Sequence, residues 1–209
     1  MKIQYIDYGV GNKKSVMNAL LKIGHEVLVV TSPDDLDPDK PIILPGVGSF
    51  LYCKNELDRL GFFKTIKNML DTNQIKKLIG ICVGHQLLFE SGAEDGGALG
   101  FGVFDGSIKH LTEIALPDKN HRLVTPNISW CKVQQTDADK SLGKFYFIHS
   151  FGNADSTSQI AYYNWNNAKI TAISRKNGIW GAQFHPEKSG DAGLKLFDKM
   201  INSREETLL

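Results

Sequence analysis

The sequence predicts an α/β fold: an open, mostly parallel sheet covered on both faces, with extra antiparallel strands in the second half. Three observations carry this. In the first half, short apolar runs alternate with helix-length segments, and glycines mark the strand ends, as in "KIQYIDYGVGN" and "IILPGVGS". From Gly100 onward, strand-like runs follow one another with turn residues and little helix between them. The chain has 209 residues, 42% of them hydrophobic, enough to bury one substantial core.

In order, residues 2–7 alternate and end in a glycine turn, and residues 13–23 place Val16, Leu20 and Ile23 at helical spacing before Gly24 closes the helix. "HEVLVVT" (25–31) is the second strand, and "PIILPGVGSF" (41–50) holds a third that runs into Pro45-Gly46-Val47-Gly48. Helices are predicted over 50–60 and 62–72, a buried strand over 75–82, and a helix over "GHQLLFES" (84–91). Strands follow at 102–111, 123–133, 144–151, 159–165, 170–177 and 179–187. A last amphipathic helix, 190–202, has Leu194, Leu196, Phe197 and Ile201 to bury. One domain is expected over 1–202, with 203–209 a frayed tail.

Composition excludes several function classes. The 24 basic and 23 acidic residues are interspersed and leave a net charge of +1, so no electrostatic footprint for nucleic acid or a membrane surface exists. No run approaches the roughly twenty apolar residues of a membrane span. The N-terminus lacks the apolar core of a signal peptide. Cys53, Cys82 and Cys131 form no disulfide framework, so a reduced, cytoplasmic setting is expected.

Gly80-Ile81-Cys82-Val83-Gly84 has the form of the nucleophile elbow, G-x-S-x-G, with sulfur in place of oxygen. Such a turn sets Cys82 at a helix N-terminus, which favours thiolate, and aims the Val83 N–H at an oxyanion forming beside it. Five residues alone fit a buried core cysteine equally well. A base is found in "QFHPEKS": in an extended segment His185 and Glu187 project to one face, with Pro186 discouraging a helix, so Glu187 can orient the imidazole while its other nitrogen serves Cys82. The same pair also reads as a surface ion pair or half a metal site. The P-C-x-x-C partner of a zinc deaminase is missing, and no metal is implied. His25 and His110 read as surface residues at strand ends, His85 as structural, and Cys53 and Cys131 as structural.

Together "GICVGHQLLFES" and "QFHPEKS" resemble the class I (triad) glutamine amidotransferases, over about residues 1–202. The resemblance implies a flavodoxin-like open sheet with the nucleophile above its C-terminal edge, no cofactor, and hydrolysis of L-glutamine with ammonia passed to a second active site. "IDYGVGN", "LPGVGSF", "FIHSF" and "HPEKSGDAGLKLF" narrow it: they resemble the glutaminase subunits of imidazole glycerol phosphate synthases. That implies histidine biosynthesis and a heterodimer with a (β/α)8 cyclase or synthase subunit.

Carried over residue by residue, the resemblance makes Cys82 the nucleophile, His185 the general acid/base and Glu187 its orienter. Val83 and the segment Gly46, Val47, Gly48 become the oxyanion hole, the latter supplying its amide only after the partner binds; two glycines permit the peptide flip this needs. Gln86 and Glu94 become contacts for the amino-acid end of the substrate, and His149, Ser150 and Phe151 the loop that meets its carboxylate. Asn12, Trp130 and Lys188 face the partner.

The chain departs from that pattern twice. His85 stands where these subunits have Met, and Pro126-Asn127-Ile128-Ser129-Trp130-Cys131 stands where they resemble "PHxGWN". A paralogous glutaminase feeding a cyclase-like sugar amidotransferase of surface-polysaccharide biosynthesis is therefore kept as an alternative. A non-catalytic regulatory module or a cysteine hydrolase of the same fold represents a different class.

Overall fold

A computed structural model describes residues 1–115, 124–138 and 140–203. The first half follows the pattern: β1 (Lys2–Ile6), α1 (Lys13–Lys22), β2 (Glu26–Val30), β3 (Ile42–Leu44), α2 (Phe50–Arg59), α3 (Phe62–Asp71) and β4 (Leu78–Ile81). Local chemistry fixes the helix starts. Asn12 accepts from the Ser15 N–H to cap α1, and Ser49 accepts from the Tyr52 N–H to cap α2. Gly61, at φ +81°, turns the chain from α2 into α3.

The helix predicted over 84–91 is only one turn long. α4 (Val83–Gln86) gives way to a strand, β5 (Phe89–Gly92). Residues 83–89 are all buried, and a continuous buried run carries no period to separate helix from strand. Close packing decides for the strand: a Cβ on Gly92 would sit 2.5 Å from the Phe50 ring, and one on Gly100 2.2 Å from the Phe89 carbonyl oxygen.

The remainder is β6 (Ala98–Leu99), β7 (Phe104–His110), α5 (Leu111–Ile114), β8 (Asn127–Gln135), β9 (Ser141–His149), β10 (Phe151–Gly152), β11 (Gln159–Trp165), β12 (Ala168–Lys176), β13 (Ile179–Ala182) and α6 (Gly190–Asn202). In α6 Met200 joins Leu196, Phe197 and Ile201 in the core, while Leu194 is half-buried. The strand predicted over 179–187 stops at Ala182, and Pro186–Lys188 forms a 3-10 turn, because proline suits the first position of such a turn. His25 is buried rather than superficial: its ring bonds Asp198 (3.0 Å) and the Met1 amino group (3.5 Å). Of the expected tail, all but Ser203 lies outside the described residues.

Nine strands form the main sheet in the order β2-β1-β3-β4-β13-β12-β11-β8-β9. β2, β1, β3, β4 and β13 run parallel, and β12, β11, β8 and β9 extend the sheet antiparallel. β10, β7, β5 and β6 make a smaller sheet. Inside the edge strand β2, the parallel strands are buried on both faces, as crossover helices require; Ile42, Ile43, Leu44, Leu78 and Ile79 are fully inaccessible. Register then positions the site. Leu44 lies opposite Gly80 and Ala182 opposite Ile81, so the ends of β3, β4 and β13 are adjacent. The 45–48 turn, Cys82 and the segment leading to His185 leave the sheet side by side, at the C-terminal edge where open α/β sheets place ligands.

Candidate active site

Cys82 sits at φ +55°, ψ −110°, a conformation L-residues avoid and one held here by its surroundings. Its N–H donates to the Ala182 carbonyl (2.8 Å), and its own carbonyl accepts from the Gln86 N–H (3.1 Å). The flanking glycines are a steric requirement. A Cβ on Gly84 would lie 2.0 Å from the Leu44 carbonyl oxygen, and one on Gly80 2.5 Å from that of Gly84. Gly46 presses on the same turn, 2.6 Å from Gly84 N by the same measure.

His185 Nδ1–H donates to Glu187 Oε1 at 2.8 Å, and the two side chains are only 4% and 1% exposed. The contact arises differently from the expected shared face of an extended segment. His185 is extended (φ −99°, ψ 96°), the 3-10 turn folds Glu187 back toward its ring, and Ser189 Oγ donates to the His185 carbonyl (2.6 Å) to hold the turn. Burial alone would pull the His185 pKa down. Hydrogen bonds to Cys82 and Glu187, and the charges of both, outweigh it and push the pKa up to about 10. A protonated imidazole is thus set between the side chains of a cysteine and a glutamate.

The Val83 N–H, expected to face an oxyanion, donates instead to the Gly46 carbonyl at 3.4 Å. The carbonyls on either side are also held. Tyr8 Oη donates to the Pro45 oxygen (2.7 Å), and the Cys53 thiol, whose pKa burial pushes up to about 11, donates to the Val47 oxygen (3.3 Å). The Gly46–Val47 peptide thus lies between two anchored peptides, with Gly48 at φ +91° beyond it.

An open cleft of about 320 Å³ lies over Cys82 and His185, while Glu187 and Gly46 stand behind its lining. Cys82, Val83 and His185 form one part, with Val47 and Gly48 above them, and Gln86, Glu94, His149, Ser150, Phe151 and Lys188 complete it. Gln86 is committed to the protein, its Nε2 donating to the Phe151 carbonyl (2.8 Å) and to Gln183 Oε1 (3.1 Å). Glu94 accepts from the Phe50 N–H (2.7 Å), and burial raises its pKa. His149 Nδ1–H donates to the Phe151 carbonyl (2.8 Å), and burial pulls this imidazole down to about 4, so it is neutral. Asn12 and Trp130 lie outside the cleft. Asn12 is exposed at its cap, and Trp130 is 53% exposed and edge-on to Tyr146. His85 is structural: its Nε2 pairs with Ser174 Oγ (2.9 Å), Phe89 and Phe104 flank the ring, and burial takes it down to about 3.

Sequence reasoning missed Pro126 and Ile148 in the lining and Gln183, whose Nε2 stands 4.0 Å from Cys82 Sγ. Gln183 had a signal, standing two residues before His185. Among the described residues no three His, Cys, Asp or Glu side chains converge as a metal site needs, and no helix is long and apolar enough to cross a membrane.

The family model for glutamine amidotransferase class-I matches residues 4–202. The chain belongs to this family. Among curated class-I amidotransferases it is 34% identical to "Imidazole glycerol phosphate synthase subunit HisH" of Prochlorococcus marinus subsp. pastoris, over 97% of this chain and 98% of that one. It is 35% identical to the protein of the same name from Bacillus velezensis, over 98% and 97%. A further relative, "Imidazole glycerol phosphate synthase hisHF" of Emericella nidulans, is 35% identical over 97% of this amidotransferase but only 38% of the longer relative. Among solved structures, a glutamine amidotransferase superposes with a TM-score of 0.69 at 16% identity, covering 95% of this chain and 97% of that one. A chain of PurLQS from Thermotoga maritima gives 0.67 at 19% identity, covering 96% and 97%. Both share the amidotransferase fold.

Proposed function

We propose that residues 1–202 form one glutaminase domain, the subunit of an imidazole glycerol phosphate synthase that hydrolyses L-glutamine to glutamate and passes ammonia to a (β/α)8 partner in histidine biosynthesis. The observation that carries the chemistry is the His185–Glu187 hydrogen bond, made beside a cysteine at a strained elbow. In this reading the Cys82 thiolate attacks the side-chain amide carbon, and the carbonyl electrons move onto oxygen. His185 gives its proton to the departing nitrogen, ammonia leaves, and a thioester remains. His185 then takes a proton from water, which attacks the thioester and releases glutamate and the thiolate. Glu94 faces the substrate's ammonium, and the backbone of Ser150 and Phe151 its carboxylate.

The oxyanion needs the Val83 N–H, which the Gly46 carbonyl occupies. Rotating the Gly46–Val47 peptide between its anchored neighbours turns that carbonyl away and brings the Val47 N–H inward. Two donors become available together. A partner seated on the cleft rim, where Val47, Ile128, Trp130 and Ile148 are exposed and Asn12 and Lys188 add polar contacts, would touch the peptide that moves. Hydrolysis then waits for the acceptor site.

The test is glutamate release by the chain with and without the subunit that copurifies with it. Stimulation by a histidine-pathway cyclase supports the reading; peptide cleavage without glutamate release contradicts it. The segment Pro126–Cys131 favours a second reading of the pathway alone, since its rim residues differ from those expected for a histidine-type partner. A copurifying sugar amidotransferase would establish that alternative.

A further inference from the structure

We propose that Tyr163 and Asn127 are positioning residues for the glutamine cleft: through His149 they brace its 149–151 wall and join that wall to the rim strand bearing Ile128 and Trp130. The proposal rests on reading the cleft as the glutaminase site. Neither residue lines the cleft.

The hydrogen bonds form an unbroken series, and each has one possible direction. Because His149 Nδ1–H donates to the Phe151 carbonyl (2.8 Å), Nε2 is the acceptor, and Tyr163 O–H donates to it (2.9 Å). The Tyr163 oxygen accepts from Asn127 Nδ2–H (3.4 Å), and Asn127 Oδ1 accepts from Ser129 Oγ–H (2.6 Å). On the far side the Phe151 carbonyl takes a second donor, Gln86 Nε2, which also reaches Gln183, beside the nucleophile. The series therefore runs from the exposed end of β8 to Cys82.

Asn127, Tyr163, His149, Gln86 and Gln183 are all buried, so a lost partner is not replaced by bulk water. Removing the single oxygen of Tyr163 strands the acceptor on His149 and leaves Asn127 Nδ2 donating only to Cys131 Sγ (3.6 Å). The ring itself is held independently by Phe147, with centroids 4.4 Å apart, so Tyr163→Phe deletes the hydrogen bonds and leaves the packing. Asn127 is one of the residues that depart from the synthase pattern, which places this brace within the segment where the chain is atypical.

The experiment labels Cys82 in the complex of the full chain with its copurified synthase subunit, using 6-diazo-5-oxo-L-norleucine, a glutamine analogue that alkylates a thiolate with uptake of one proton and loss of N2, and follows the thioether by mass spectrometry across probe concentrations. Melting temperature is recorded alongside. Tyr163→Phe and Asn127→Ala should each raise the half-saturating probe concentration about five- to tenfold, as loss of buried hydrogen bonds behind the wall implies, with the saturating rate changed less than about twofold. The double variant should be no worse than the worse single one, because both break the same series. Half-saturation unchanged in both variants, with or without a lowered melting temperature, overturns the brace alone. Cys82 unlabelled in the wild-type complex overturns the assignment of the site, and the brace with it.

Discussion

At the scale of single residues, charge and burial set three histidines apart. His185 gains a proton through Cys82 and Glu187, whereas His85 and His149 lose theirs to burial. The His185–Glu187 contact was legible because the two residues stand two positions apart in one motif. The state of His149 was not, since its partner Tyr163 comes from another strand, 14 residues on. Glu187→Gln should cost glutamine hydrolysis roughly a hundredfold or more in kcat, measured as glutamate release, because a neutral amide neither fixes the required tautomer nor stabilises the imidazolium. The buried neutral histidines predict an acid limit on stability. With folded values near 3 and 4, against about 6.5 when unfolded, the unfolded chain binds more protons between those values. Stability therefore falls as pH drops below about 6.5, by up to roughly 1.4 kcal/mol per pH unit for each histidine. Urea denaturation from pH 7 to 5 checks this, and His85→Met should flatten the slope.

At the scale of elements, the parallel half was legible because each strand and helix announces itself by period and by a glycine or a cap. The helix expected after the elbow was not, because the unbroken buried run from Val83 to Phe89 has no period, and Gly92 and Gly100 act only through distant contacts with Phe50 and Phe89. The same blindness hid the bond from the Val83 N–H to the Gly46 carbonyl, which crosses 37 positions. The elbow's glycines make a sharp prediction. Gly84→Ala puts a methyl against the Leu44 carbonyl and should lower unfolding free energy by about 2–3 kcal/mol, measured in urea, with glutaminase activity lost in parallel.

At the scale of the whole molecule, the sheet order brings together residues from both ends of the chain, and the family resemblance implied only the type of sheet, open and flavodoxin-like. Periodicity names strands but does not choose their neighbours, so the run β13-β12-β11-β8-β9 had to come from the structure. The exposed rim belongs to this scale too. Trp130→Ala should weaken association with the synthase subunit about tenfold or more by calorimetry while leaving the melting temperature unchanged, since an exposed aromatic contributes little to the fold but much to an interface. In the proposed function Cys82 makes ammonia for a second active site. Its most direct test compares Cys82→Ala with the wild-type chain in the complex with its copurified synthase subunit, supplying either L-glutamine or a high concentration of ammonium. Glutamine-dependent synthesis should vanish while ammonium-dependent synthesis persists; full glutamine-dependent synthesis by the variant would contradict the account.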